Sequence, residues 1–219
     1  MARHKKLIAF DMDGTLLEGR IIQALAEKYD FTDKLYKIQS NQNMEGYQKS
    51  QKIAYLLKGR HADEVTKITS EMKLIKNWRQ AIYELQSHDY VLGIISDSYK
   101  FACDYLAEKM NLDFVIANDL KVDENDCLTG DLVMPFGWEK IGCSCKISVC
   151  KRYHLEKMAK KFEIDIQDTA VVGDTVSDLC MIKRAGTGIA MMPKDRMLED
   201  VSDVVIKTHD LNQILPFVL

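Results

Sequence analysis

Long apolar runs are missing from this 219-residue chain: nowhere do 18 consecutive apolar residues occur, so no bilayer-spanning helix is expected. The start, MARHKKLIAFDMDGT, offers only four clearly apolar residues before its first aspartate, too few for a secretory core segment. A cytoplasmic location is therefore the expectation. There is also no long Lys/Arg run, and a formal charge of -3 gives no general attraction to nucleic acid or anionic lipid. Internal repeats and low-complexity stretches are absent. The six cysteines form no evident disulfide framework. Against these absences stand 47% hydrophobic and 29% charged residues, the balance of a globular chain long enough to bury a sizeable core.

Short apolar runs without clean alternation occur at residues 7–10, 90–95, 114–117, 169–173 and 187–191, with a weaker one around Val204. Such runs read as strands buried on both faces. Helical spacing separates most of them: Leu155, Met158, Ala159 and Phe162 fall on one face, and a second helix is expected from Asp178 to Gly186. Alternating strands and helices predict a three-layer open α/β fold, its sheet mostly parallel and joined by right-handed crossovers. About 75 residues separate Gly14 from Tyr90, too many for one crossover. Helix-like stretches at 21–29, 46–57 and 62–75 predict a small inserted helical cap, and 77–87 the helix returning to the sheet. The expected division is a core of 1–16 and 77–219, a cap of 17–76, and a β-hairpin and loop over 118–142. Within that last stretch, 120–122 and 128–132 are expected as the hairpin arms and 135–142 as irregular loop.

DMDGT, Asp11 to Thr15, directly follows the first buried strand. Ligands of open α/β sheets bind beyond the carboxyl ends of strands, so Asp11 and Asp13 are expected in one cavity. Carboxylates so placed are costly to bury unless a cation or a protonation step uses them. GDTVSD supplies Asp174 and Asp178 after another strand, four residues apart and able to face one region. These hard oxygen donors suit Mg²⁺. Ser96 ends a third strand, where its hydroxyl and nearby N–H groups can hold phosphate oxygens, and Lys151 opens a helix where it can face both phosphate and carboxylate.

FDMDGT, IISDS, Lys151 and VVGDTVSD, in that order, resemble the four-motif pattern of the haloacid dehalogenase superfamily, in particular its phosphoserine phosphatase-like branch. The resemblance spans nearly the whole chain. It implies a Mg²⁺-dependent phosphatase acting on a small phosphate monoester through an aspartyl phosphate. Asp11 would be nucleophile and metal ligand, and Asp13 the general acid/base that also lends its backbone carbonyl to the metal. Ser96 and Lys151 would bind the phosphoryl group, Asp174 the metal, and Asp178 either the metal shell or the lysine. Phosphoserine phosphatase proper and a noncatalytic phosphoester-binding protein are the alternatives, as monomer or homodimer, with no nucleic acid or membrane partner.

The branch carries an acidic residue after its first motif and an arginine on a cap helix; here those positions hold Arg20 and, approximately, Ile53. Asp97 stands where glycine is usual. Arg20 favours a substrate with a second anionic group, and Arg20, Asp97, Met44 and Lys52 join Ser96 and Lys151 as expected substrate contacts, with Tyr47 as further apolar lining. Cys143, Cys145 and Cys150 form CxCx4C beside Lys151. A soft metal or a loop of free thiols are both open readings, since no fourth ligand is evident in the spacing.

Overall fold

Alternation along the first strand sets the layering. In the computed structural model, which describes residues 5–219, β1 (Lys6–Phe10) turns Ile8 and Phe10 to one face and Leu7 and Ala9 to the other. All four are fully buried, so the apolar run is a strand covered on both sides. Each such Leu, Ile or Phe side chain contributes about 1.5–3 kcal/mol through its removal from water. Residues 1–4, the start of the expected 1–16 segment, lie outside the described residues.

Four helices follow: α1 (Ile21–Lys28), α2 (Thr32–Gln39), α3 (Gly46–Tyr55) and α4 (Asp63–Glu71). α2 is an addition to the expected set, since only Leu35 of its eight residues is buried and its sequence carries little apolar stripe. α5 (Trp78–Ser87) returns the chain to the sheet through Ala81, Ile82 and Leu85. Then come β2 (Tyr90–Tyr99), α6 (Lys100–Met110), β3 (Phe114–Val122) and β4 (Leu128–Val133). The chain continues through α7 (Trp138–Ile141), α8 (Lys151–Lys161), β5 (Thr169–Gly173), α9 (Leu179–Ile182) and β6 (Thr187–Met191). It ends with α10 (Arg196–Glu199), β7 (Val204–Ile206) and α11 (Leu215–Val218).

The seven strands run in the order β4-β3-β2-β1-β5-β6-β7, all parallel except β4. α5, α6 and the residues of α1 and α4 pack on the Ile8/Phe10 face, while α8, α9 and α10 cover the Leu7/Ala9 face. Buried side chains of α1, α2 and α4 belong to the same apolar cluster as Phe10, so the inserted helices share their core with the sheet.

Three expectations change. The first hairpin arm is no separate strand: β3 runs unbroken from Phe114 to Val122, pairing parallel with β2 at its start and antiparallel with β4 at its end. The stretch expected as pure loop contains the single turn α7, flanked by Gly137 and Gly142, both at positive φ. β2 continues past Ile95 to Tyr99, and α6 starts only at Lys100, so Ser96 lies within the strand rather than at its end. Ile95 pairs with Ile116 and Tyr99 with Asn118, four residues against two. Two extra residues therefore bulge from β2, and the bulge turns Ser96, Asp97 and Ser98 toward the sheet's carboxyl edge.

Candidate active site

β1 lies between β2 and β5, so the residues ending these three strands converge. The Asp11 N–H donates to Val172 O at 2.9 Å, which carries the strand pairing one residue past β1 and fixes where that carboxylate points. Asp11 is 3% exposed. Its Oδ1 lies 2.7 Å from Lys151 Nζ, an ionic contact without hydrogen-bond alignment. Lys151 is wholly buried and donates to Asp178 Oδ1 at 2.5 Å. Burial opposes the ammonium charge, but the Asp11 and Asp178 carboxylates outweigh it, so Lys151 is held protonated above its ordinary range.

Lys151 reaches this place because α8 presents Lys151, His154, Leu155, Met158 and Ala159 along one buried stripe, the last three apolar. Asp178 accepts from both the Asp174 and Thr175 N–H groups at 3.1 Å through Oδ2. Both its oxygens are thus taken by protein donors, and it holds the lysine and the Asp174 backbone rather than offering a free ligand atom. Gly173 permits this approach, since a Cβ there would stand 2.3 Å from Asp178 Cγ.

Asp13 faces the other way around Gly14. Its Oδ1 accepts the Ile21 N–H at 2.9 Å and so receives an otherwise unpaired amide at the start of α1. Burial pushes the Asp13 carboxyl up to about 7; the Ile21 N–H opposes the rise and the Asp11 charge adds to it. A carboxyl at that level can both give and take a proton near neutrality. Gly14 itself has φ +82°, and a Cβ on it would fall 2.0 Å from Asp174 Oδ2. The glycine of DMDGT is therefore required twice, by its backbone and by the closeness of Asp174.

Carboxylate oxygens of Asp11, Asp174 and Asp178 lie within 4.8 Å of one another. Asp174 is buried, its Oδ1 has no partner and its Oδ2 pairs with Lys194. Desolvation and the Asp11 charge raise its pKa, with Lys194 opposing. An orphaned buried carboxylate oxygen beside a second carboxylate fits a hard divalent cation. Lys194 gave no signal in the sequence beyond its place in the loop after β6, beside β5.

Over Asp13 opens a cavity of about 400 Å³, lined by Arg20, Lys49, Ser50, Ile53, Asp97 and Asn118 among others. Arg20 occupies the residue before α1, where extended backbone leaves its side chain facing the cavity. Burial works against its charge, but Asp97 first and Asp13 next hold it protonated. Ser96 is fully buried, its Oγ accepting the Ser98 N–H at 3.3 Å. Asn118 donates to Asp97 O at 2.6 Å and to Ser148 Oγ at 2.8 Å, and Ser50 on α3 reaches Ser148 at 3.3 Å. This chain of hydrogen bonds ties α3 to the cavity floor, and neither Asn118 nor Ser98 was singled out by sequence reasoning. Met44 and Lys52 are not brought to it: they line a second cavity with Tyr47, Met134 and Phe136. α3 separates the two sets, Lys49, Ser50 and Ile53 on one side and Gln48, Gln51 and Lys52 on the other.

A buried carboxylate against a buried lysine, with a second carboxyl raised to about 7, is an arrangement able to serve phosphoryl transfer on an open α/β sheet. Comparison with known proteins agrees. The family description haloacid dehalogenase-like hydrolase matches residues 8–183. A phosphoserine phosphatase of Methanocaldococcus jannaschii is 32% identical over the full length of both chains. One from Archaeoglobus fulgidus is 32% identical over 95% of this chain and 58% of its own. A solved phospho-aspartyl intermediate analogue of phosphoserine phosphatase superposes with a TM-score of 0.84 at 30% identity, covering 99% of this chain and all of the other. The chain belongs to the haloacid dehalogenase-like hydrolase family, and within it to the phosphoserine phosphatase-like branch. It is a phosphatase, hydrolysing phosphate monoesters. No helix among the described residues is long and apolar enough to cross a membrane.

Proposed function

We propose that the enzyme hydrolyses a small phosphate monoester bearing a second anionic group, through a phosphoaspartate formed on Asp11. The observation that carries the substrate class is Arg20 facing the cavity over Asp13, at the position where the branch has an acid. In the first step Asp11 attacks phosphorus while Asp13 gives its proton to the departing alkoxide. In the second, Asp13 takes a proton from water as that water attacks the aspartyl phosphate, returning both carboxyls to their starting states. Lys151 balances charge on the transferring oxygens, and the Ser96 hydroxyl and the N–H groups of the β2 bulge supply further donors. Mg²⁺, held by Asp11, Asp174 and the Asp13 carbonyl, would neutralise charge on the phosphoryl oxygens when bound. Asp178 orients Lys151. The inserted helices line the cavity over Asp13 and so limit the water that reaches it.

A second reading, phosphoserine itself, is favoured by the full-length likeness to phosphoserine phosphatases and by Asp97, a cavity carboxylate able to accept an ammonium group. Phosphate release from phosphoserine, phosphoglycolate, phosphoethanolamine and sugar phosphates, with and without Mg²⁺, separates the two. Asp11→Asn is the control, and Arg20→Glu tests the pocket. Preference for esters with an anionic tail that moves toward phosphoserine in R20E supports the first reading. A wild-type preference for phosphoserine that R20E leaves unchanged rejects it.

A further inference from the structure

Four of the six cysteines meet on the far side of Lys151. Cys143, Cys145, Cys150 and Cys180 place their sulfurs within 4.8 Å of one another. CxCx4C supplies three of them, and Cys180 arrives from α9, thirty residues beyond Cys150 in sequence, because α9 packs against α8. We propose that these four thiolates form a closed structural zinc site.

Geometry and chemistry both support it. Zinc–sulfur bonds of about 2.3 Å in a tetrahedron set the sulfurs about 3.8 Å apart, so the cluster needs to contract by no more than about 1 Å. None of the four belongs to either apolar core cluster, in contrast to Cys103, which packs among the core residues of α6. Cys150 is buried, but Cys143, Cys145 and Cys180 are only partly so, and apolar burial alone does not account for the four meeting. The backbone is arranged for sulfur acceptors as well: the Arg152 N–H donates to Cys180 Sγ at 3.4 Å, and the Ile147 and Tyr153 N–H groups face Cys145 and Cys150. Lys146, at φ +46°, makes the reversal that carries the chain from Cys145 back toward Cys150.

Charge points the same way. Binding would convert four thiols and Zn²⁺ into a tetrathiolate of net charge -2, with four protons released to solvent. Arg152, Lys183 and Arg184 line the cavity beside the cysteines, and Glu156 pairs with the two arginines, leaving +2 to face that charge. All four positions of a structural tetrahedron are filled by protein, so this site would hold the fold rather than turn over substrate. It would also tie together the two segments that carry the Lys151–Asp178 pair, since Cys150 adjoins Lys151 and Cys180 follows Asp178 by two residues.

The test is metal content of the full chain, expressed with zinc, purified under reducing conditions and dialysed against EDTA. The expected result is one zinc per chain, released by a mercurial reagent as four thiols are titrated. Cobalt substitution should give the visible and thiolate charge-transfer bands of a tetrahedral cobalt thiolate. C145S and C180S should lose both signals while C103S, C127S and D174N keep them, which separates this site from the carboxylates. Because a ligand variant can fail to fold, the metal count and cobalt spectrum of the wild-type chain decide alone. A folded wild-type chain with four free thiols and no zinc, with disulfides among the four, or with iron in their place overturns the proposal.

Discussion

Replacing Lys151 by methionine removes the wholly buried cation beside Asp11 while keeping most of its volume. Lys151 has no exposed surface and lies 2.7 Å from Asp11 and 2.5 Å from Asp178. Removing one member of a buried ion cluster leaves an uncompensated charge and costs about 3–5 kcal/mol. At about 2–4 °C per kcal/mol for a chain of this size, Tm should fall by about 6–20 °C. With Lys151 in its proposed role as donor to the transferring oxygens, its loss should lower kcat by about 10²–10³-fold. The sign of the pH effect follows from the direction of the shift. The lysine's pKa is raised on folding, so its contribution is fully present below the unfolded value of about 10.4 and constant across neutral pH. Burial raises the Asp178 carboxyl and the Lys151 charge opposes that rise, so in the variant Asp178 loses the charge that favours its ionised form and takes up a proton more readily as pH falls. The Tm gap between wild type and K151M should therefore narrow from pH 8 to pH 5. Adding Asp178→Asn should recover part of the loss, because the orphaned carboxylate goes with it. Differential scanning fluorimetry across that range, with Mg²⁺ fixed, provides the reading. A Tm change under about 2 °C at pH 8, or a gap that widens toward acid, refutes the buried-cluster account.

Gly14→Ala should raise the Mg²⁺ concentration needed for half-maximal activity and lower Tm, because the added Cβ meets Asp174 Oδ2 at 2.0 Å in a left-handed backbone; an unchanged magnesium titration would contradict the placement. Gly93→Ala drives a methyl to 2.4 Å from the Phe114 ring at the β2–β3 pairing and should cost about 1–3 kcal/mol, seen as a lower urea midpoint with kcat of the folded enzyme retained. Lys49→Ala should raise KM for anionic-tailed esters while Lys52→Ala leaves KM unchanged, since only Lys49 lines the Asp13 cavity; the reverse pattern would restore Lys52 as the contact.

Strands were the legible part of the fold. Burial on both faces leaves an unbroken apolar run, so β1, β5 and β6 stand where their residues said, and the stripe on α8 located Lys151. Irregularity was less legible. The two-residue bulge that turns Ser96–Ser98 toward the cavity depends on pairing with β3, which no local pattern records. α2 escaped because its helix is held by one buried leucine. On α3 the error was angular: neighbouring residues on a helix point about 100° apart, so a contact assigned to Lys52 instead of Ile53 or Lys49 moves to another cavity. Cys180 was invisible as a partner of Cys143, Cys145 and Cys150 because a strand and a crossover intervene, and only packing of α9 on α8 brings it to them.

The charge over Asp13 gives the strongest constraint on the substrate's tail. Arg20 and Lys49 bring two positive charges to the cavity, and Asp97 brings one negative. Asp13, pushed up to about 7, adds only part of another near neutrality. The balance is therefore close to zero or positive before Lys151, which the buried carboxylates already occupy, is counted. Glutamate at position 20 would shift it by two charges toward the negative, enough to favour an ammonium group over a carboxylate. A cation at the residue before α1, lining the cavity, is therefore the basis for proposing a tail that carries an anionic group, and R20E is the substitution that tests it.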